Sequence, residues 1–273
     1  MEILGSRKFS DAYTLASDIW RFLFEASDEE VKRFFRTVFL PCCRKQPEIF
    51  TKPHRWTVLH HFIYVYVETS HYEFERHRDD MRDLVIQEYK TILDYYRVSY
   101  PSLVIPSESS GNYEDVTKEI ISVLRDRIPY KRIAHDTFHL LFEDREFLLR
   151  FNQGVAQVIQ LCVQQGMLEE VTQDGIIKRV NIPQWVKRAV LYRDKGRCVY
   201  CGKDLTGTIA RGEEVHYDHI VPLARGGIND PTNLQLMCRE CNLKKARSTN
   251  TSDMYQLYWR LDDEKVQSVI SNC

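Results

Sequence analysis

The residues able to do chemistry gather in one stretch of the 273-residue chain. Two Cys-x-x-Cys pairs, Cys198/Cys201 and Cys238/Cys241, stand about 40 residues apart. Four thiolates at such spacing match a tetrahedral Zn2+ site, and four protein ligands leave no position open for water, which makes the site structural. Between the pairs runs Asp218-His219. Hydrolysis of a phosphodiester needs a nucleophile made from water, neutralisation of the charge developing on phosphorus, and help for the leaving oxygen. His219 suits a general base because an imidazole titrates near neutrality. Asp218 is a hard oxygen ligand of the kind that holds Mg2+ or Mn2+. The remaining cysteines, Cys42, Cys43, Cys162 and Cys273, lack a matching pair and are read as ordinary thiols.

These side chains need elements to hold them. Glu214 to Val221 reads as a strand ended by Pro222, Gly226-Gly227 as a tight turn, and Asn233 to Met237 as a second strand. CRECNLKKA then starts a helix. Neighbouring strand residues face opposite ways, so Asp218 and His219 share one pocket only at a distorted strand end or at a sheet edge. Pro183 opens a short helix leading to the first cysteine pair.

Upstream, residues 7–100 read as largely helical. Ser27 with Glu30 is a capping box, and Pro41 is expected to stop the helix it opens. Residues 54–68 fit helix or strand equally. A long amphipathic helix is expected from Tyr72 to about Tyr96, with Phe74, Met81, Leu84, Val85, Ile92 and Leu93 on or near one side. Further helices are expected at 114–127 and over much of 133–165, the latter broken near Asn152 and Gly154. Asp174-Gly175 signals a hairpin. The fold class that follows is α+β: a mainly helical domain, 1–180, then a small zinc-stabilised domain, 181–273, with a C-terminal helical extension.

The set RDKGRCVYCG, DHIVPLARGG and NDPTNLQLMCRECNLKK resembles the HNH endonuclease family, over roughly residues 185–250. The resemblance implies a ββα-metal core acting on DNA. It makes His219 the base and Asp218 a ligand of the catalytic Mg2+ or Mn2+. It puts Asn233 where its side-chain carbonyl orients the histidine, and Asn242 at the position of the second metal ligand, where His is commoner. Lys245, one helical turn beyond Asn242, is positioned to contact a phosphate. The alternatives are a non-catalytic zinc module binding nucleic acid or protein, and a nuclease acting on RNA or branched DNA. A small nuclease joined to an unrelated helical domain resembles restriction or anti-phage arrangements.

Charge supports a polyanion partner for one part only. The whole chain carries a formal net charge of -1. Residues 185–250 hold 12 Lys and Arg against 7 Asp and Glu, while the rest holds 26 against 32. DNA is therefore expected to meet the C-terminal basic region, through Lys187, Arg188, Arg193, Lys195, Arg197, Arg225, Arg239, Lys244, Lys245 and Arg247. All 13 Phe lie at or before Phe151. The helical domain thus owns the aromatic core, and regulation, target choice or homodimer contact is expected of it. No apolar run approaches the roughly 20 residues of a membrane span. With no signal-peptide pattern at the N-terminus either, a cytoplasmic protein is expected.

Overall fold

The computed structural model describes residues 10–76, 81–211 and 215–252. Helix α1 (Ser10–Glu25) leads to α2 (Asp28–Lys45). The capping box forms: the Ser27 hydroxyl accepts the Glu30 N–H at 3.3 Å and the Glu30 carboxylate accepts the Ser27 N–H at 3.2 Å. Pro41 does not end α2, which runs on to Lys45. The ring lies on the exposed side together with Thr37, whose carbonyl it leaves without a helical donor, while Cys42 and Cys43 beyond it are buried. Packing of that last turn outweighs the lost bond.

A short α3 (Glu48–Thr51) follows, then α4 (Val58–Arg76), which resolves the ambiguous 54–68 stretch as helix. The single helix expected from Tyr72 to Tyr96 is instead the end of α4 and a separate α5 (Arg82–Tyr95); residues 77–80 lie outside the described set. Val85, Ile92 and Leu93 are buried as the periodicity requires, but Met81 and Leu84 are about half exposed. Helix α6 (Tyr113–Arg125) matches expectation. The break between α7 (Tyr130–Glu143) and α8 (Arg145–Gln164) falls at Asp144, which caps α8 by accepting the Phe147 N–H at 2.9 Å. Asn152 and Gly154 sit inside α8 instead. A Cβ on Gly154 would come within 2.7 Å of the Phe35 ring, so glycine there permits close packing of α2 on α8.

Beyond α8, a bridge between Val171 and Ile177 closes the turn at Gly175, the hairpin of the sequence reading. Helices α9 (Gln184–Arg193) and α10 (Thr206–Ala210) precede a two-stranded antiparallel sheet. Its strands are β1 (His216–His219) and β2 (Leu234–Met237), in register Asp218 to Gln235 and His219 to Leu234. Glu214, the expected start of β1, lies outside the described residues, and Asn233 ends the 3-10 turn before β2. Helix α11 (Arg239–Lys245) completes a ββα arrangement. The expected C-terminal helical extension falls on 253–273, outside the described residues, as does Cys273.

Two compact units emerge, each discontinuous in sequence. Among the described residues one comprises 10–19 and 59–140, the other 20–58 and 141–252. The first unit is helical, with Phe62, Ile63, Ile86, Tyr89, Leu93 and Leu124 buried. The second joins the cysteine-rich segment to α2, α3 and α8. Its aromatic core packs Phe35, Phe39, Phe50, Phe147 and Phe151 at centroid separations of 5.7 to 6.3 Å, Phe147 and Phe151 stacked and the other pairs tilted or edge-on. Cys43 of α2 and Cys162 of α8 are joined in a disulfide across this core, so they are not the ordinary thiols expected. Sequence separation hid the pairing, because only α2–α8 packing brings the two together.

The sheet is anchored by a buried charge cluster. Asp194, fully buried, accepts the Leu236 N–H at 2.8 Å, pairs with Arg193 at 2.9 Å and lies 3.6 Å from Arg145. Removing the carboxylate takes its negative charge away from two buried guanidinium groups, Arg193 and Arg145. Asp194→Ala is therefore expected to cost about 3–5 kcal/mol of unfolding free energy, read by denaturant titration; a loss below about 1 kcal/mol would contradict the anchoring role.

Candidate active site

The two Cys-x-x-Cys pairs converge. The sulfur atoms of Cys198, Cys201, Cys238 and Cys241 all lie within 4.8 Å of one another. Cys198 enters from the turn after α9, and the Val199 N–H is held by the Leu236 carbonyl of β2 at 3.0 Å. Cys238 caps α11, its sulfur accepting the Cys241 N–H at 3.5 Å. Cys201 and Cys238 sulfurs are 3.8 Å apart. Four sulfurs at about 2.3 Å from a tetrahedral Zn2+ lie about 3.8 Å from one another, so the cage fits that ion. Burial, followed by the neighbouring sulfurs, pushes the Cys241 thiol well up. Four thiolates therefore need a cation among them, and the cluster is a metal-binding site consistent with structural zinc.

The Asp218-His219 pair sits at the end of β1, and its two side chains meet different partners. His219 is 3 % exposed. Its Nε2 lies 3.3 Å from Asn229 Oδ1, and its Nδ1 is buried with no hydrogen-bond partner among the described residues. The Asn229 amide is oriented by its other end: Nδ2 donates to the Thr51 carbonyl at 2.9 Å and to the Lys178 carbonyl at 2.8 Å. Oδ1 must therefore face the imidazole as acceptor, which makes Nε2 the protonated nitrogen and leaves a lone pair on Nδ1. Burial, then the nearby Arg179 and Lys245 charges, lower the His219 pKa to about 4, against the raising effects of Asn229 and Asp218. The ring is neutral at neutral pH.

Asp218 lies opposite Gln235 and is linked to it, Gln235 Nε2 donating to Oδ2 at 3.3 Å. Lys245 reaches back from α11, its Nζ 2.8 Å from Asp218 Oδ2 and donating to the His219 carbonyl at 2.8 Å. The Lys245 side chain is 1 % exposed. It is thus a buried tie between Asp218 and the His219 backbone, where the sequence suggested a phosphate contact. Asp218 Oδ1 has no partner among the described residues, and neither does the half-buried Asn242 side chain. Asp218 stands on β1 and Asn242 on α11, two elements that contact each other, and their oxygens are hard donors. On the Asp218 side of β1, His216 Nε2 is likewise buried without a partner.

Asn233 is brought close in sequence register but does not touch the imidazole. Its Oδ1 accepts the Val221 N–H at 2.9 Å, and its Nδ2 donates to the Val221 and Ile228 carbonyls at 3.0 Å each. With both ends committed to backbone, it braces the loop between the strands, and Asn229 takes the expected place at His219. Asn229 was legible only as part of a turn, since its partners come from residues 51 and 178. The turn closes as Gly226-Gly227 predicts: Gly226 has φ 86°, and a Cβ on Gly227 would lie 1.9 Å from the Val221 carbonyl.

The expected basic surface survives in part. Arg193 is buried on Asp194 and Lys245 on Asp218, so neither faces solvent. Arg188, Lys195, Arg197, Arg225, Arg239, Lys244 and Arg247 are exposed, and Lys187 is half-buried beside the Tyr217 ring. Among the described residues no helix is long and apolar enough to cross a membrane.

With this geometry stands a family match: residues 198–248 fit the HNH endonuclease model. The chain therefore carries an HNH endonuclease domain with a four-cysteine metal-binding cluster, and that domain supports nuclease-type activity. The chain is also similar to the type IV methyl-directed restriction enzyme EcoKMcrA of Escherichia coli (strain K12), 28 % identical over 121 residues. The match covers 42 % of this chain and 42 % of that protein. No solved structure matches the chain.

Two measurements probe the site directly. Cys238→Ser is expected to lower bound zinc and the thermal transition together, because metal affinity here is folding free energy; native zinc content with an unchanged transition would contradict the metal cage. A pH titration of the His219 ring nitrogens by NMR is expected to show the neutral Nε2–H form down to about pH 4. Protonation near the ordinary 6.5 would mean that burial does not control the ring.

Proposed function

We propose that this chain is a divalent-metal-dependent HNH endonuclease that hydrolyses DNA phosphodiester bonds, with His219 Nδ1 accepting the proton of the attacking water. One observation carries the reading: within the HNH-matched segment, a buried neutral imidazole is fixed through Nε2 by Asn229 and keeps its Nδ1 lone pair unspent. Asn229 and Asn233 are positioning residues, the first for the ring and the second for the loop. Asp218 and Asn242 would hold the Mg2+ or Mn2+, which neutralises charge on phosphorus and assists the leaving oxygen when bound. Lys245 keeps Asp218 oriented through Oδ2. The four-cysteine cluster takes Zn2+ as a structural ion.

One such site cuts one strand at a time, so a double-strand break calls for two copies and hence a homodimer. In this reading residues 181–273 perform the chemistry, and residues 1–180 supply control, dimerisation or target choice. The name of the similar restriction enzyme supports methylated DNA as a substrate class to be tried.

The test is nicking of supercoiled plasmid, methylated and unmethylated, by the full chain with Mg2+, Mn2+ or EDTA. Metal-dependent nicking by the wild type and a loss of at least 100-fold in His219→Ala, with zinc content unchanged, are expected. Equal nicking by both proteins would remove His219 from the role. Degradation of RNA but not DNA would overturn the choice of substrate.

A further inference from the structure

A cleft of about 520 Å³ lies within the unit that carries the HNH domain, between helices α2 and α8 and the loop that follows β1. Its floor is apolar, with Val31, Phe35 and Ala156. Its rim carries Lys32, Arg150 and Arg225 against one carboxylate, Asp28. Arg150 is already spoken for: it pairs with Asp28 at 3.0 Å and donates to the Leu23 carbonyl at 3.4 Å. Lys32 and Arg225 have no side-chain partner among the described residues. Neither do the amides of Gln153 and Gln157, one helical turn apart on α8, although Gln160 on the same helix is engaged with the Arg225 carbonyl at 3.1 Å. An apolar floor, uncommitted amides and uncommitted cations together describe a site for a ligand with flat hydrogen-bonding edges and negative charge.

The cleft is also adjacent to the candidate base. Val221 lines it and lies two residues after His219. Two residues span at most about 7 Å of chain, which is about two base-pair steps of DNA at roughly 3.4 Å each. The loop is held against α8 at this place by the Gln160 bond and by Gly226, where a Cβ would lie 2.8 Å from the Ala156 carbonyl. The segment that carries Val221 thus joins the cleft wall to the strand that ends at His219.

We propose that this cleft is a nucleotide-binding subsite for the DNA flanking the scissile phosphate, in which Lys32 and Arg225 meet phosphates and Gln153 and Gln157 meet base edges. The proposal rests on the endonuclease reading and deepens it. It moves part of target recognition onto α2 and α8, outside the segment that matches the HNH model. Amide side chains are suited to base edges because they offer a donor and an acceptor side by side, whereas lysine and arginine on phosphate carry no sequence information.

The test measures binding of fluorescein-labelled 24-base-pair DNA duplexes of several sequences, by anisotropy, in EDTA across a salt series. Wild type, a Lys32→Ala/Arg225→Ala double variant and a Gln153→Ala/Gln157→Ala double variant are compared, with plasmid nicking by the same wild-type protein measured in parallel. Losing two phosphate contacts is expected to lower the slope of log affinity against log salt by about 1.8, with weakening on every sequence alike. The glutamine variant is expected to lose about tenfold on the preferred sequences and little on the others, with the slope unchanged. Native affinity, slope and sequence preference in both variants, while the wild type still nicks plasmid, would overturn the cleft and leave the nuclease standing. A wild type that neither binds duplex nor nicks plasmid would overturn both. Tighter binding of an RNA duplex of the same sequence would overturn DNA as the occupant.

Discussion

The unit that carries the HNH domain depends on satisfying a polar loop that it buries almost completely. Asn229, Asp230, Thr232, Asn233 and Gln235 are each 3 % exposed or less. A buried amide or carboxylate without a partner costs about 1–3 kcal/mol or more, so each needs a fixed partner. The helical segments supply several of them. The Asn229 N–H goes to the Phe50 carbonyl at 3.0 Å, Asp230 Oδ2 accepts the Val58 N–H at 3.1 Å, and Asn152 of α8 donates to the Thr232 carbonyl at 3.1 Å. Burial pushes the Asp230 pKa up to about 6 against the lowering effect of the Thr232 and Val58 donors. The small ββα segment is therefore joined to α3 and α8 by obligatory hydrogen bonds, in addition to its metal cluster.

That junction also sets the chemistry available to His219. The tautomer of the ring follows from the orientation of one amide, and that amide is oriented by carbonyls at Thr51 and Lys178. Elements distant in sequence thus decide which ring nitrogen keeps its lone pair. Lys245 performs a parallel task on the other face. By bridging Asp218 Oδ2 and the His219 carbonyl it ties α11 to the end of β1, and it leaves Asp218 Oδ1 open. Asp218 and His219 thus diverge as adjacent strand positions must, and each side chain has its own support at the strand end.

Features governed by local spacing were legible in the amino-acid order. The cysteine pairs, the Ser27–Glu30 capping box, the turn at Gly226-Gly227 and the strand–loop–strand–helix order all depend on residues a few positions apart. Features governed by partners were not. Pro41 reads as a helix terminator until Cys42 and Cys43 are seen buried beyond it. Asn233 and Asn229 are chemically identical, and nothing in their spacing tells which one reaches the imidazole. Arg193 and Lys245 count as surface charge in any tally of composition, yet each is buried against a carboxylate, Asp194 and Asp218.

The sequence by itself determined the chemical inventory: four thiols for a tetrahedral metal cluster, an Asp-His pair on a short strand, and a basic segment around them. These follow from residue type and short-range periodicity, which the linear order carries in full. Only the tertiary structure decided that Cys43 meets Cys162, that Lys245 is a buried tie, and that Asn229 holds His219. The reason is physical. A buried polar group is defined by the partner that replaces water, and here some of those partners, Thr51 for Asn229 and Cys162 for Cys43, lie more than 100 residues away in the chain.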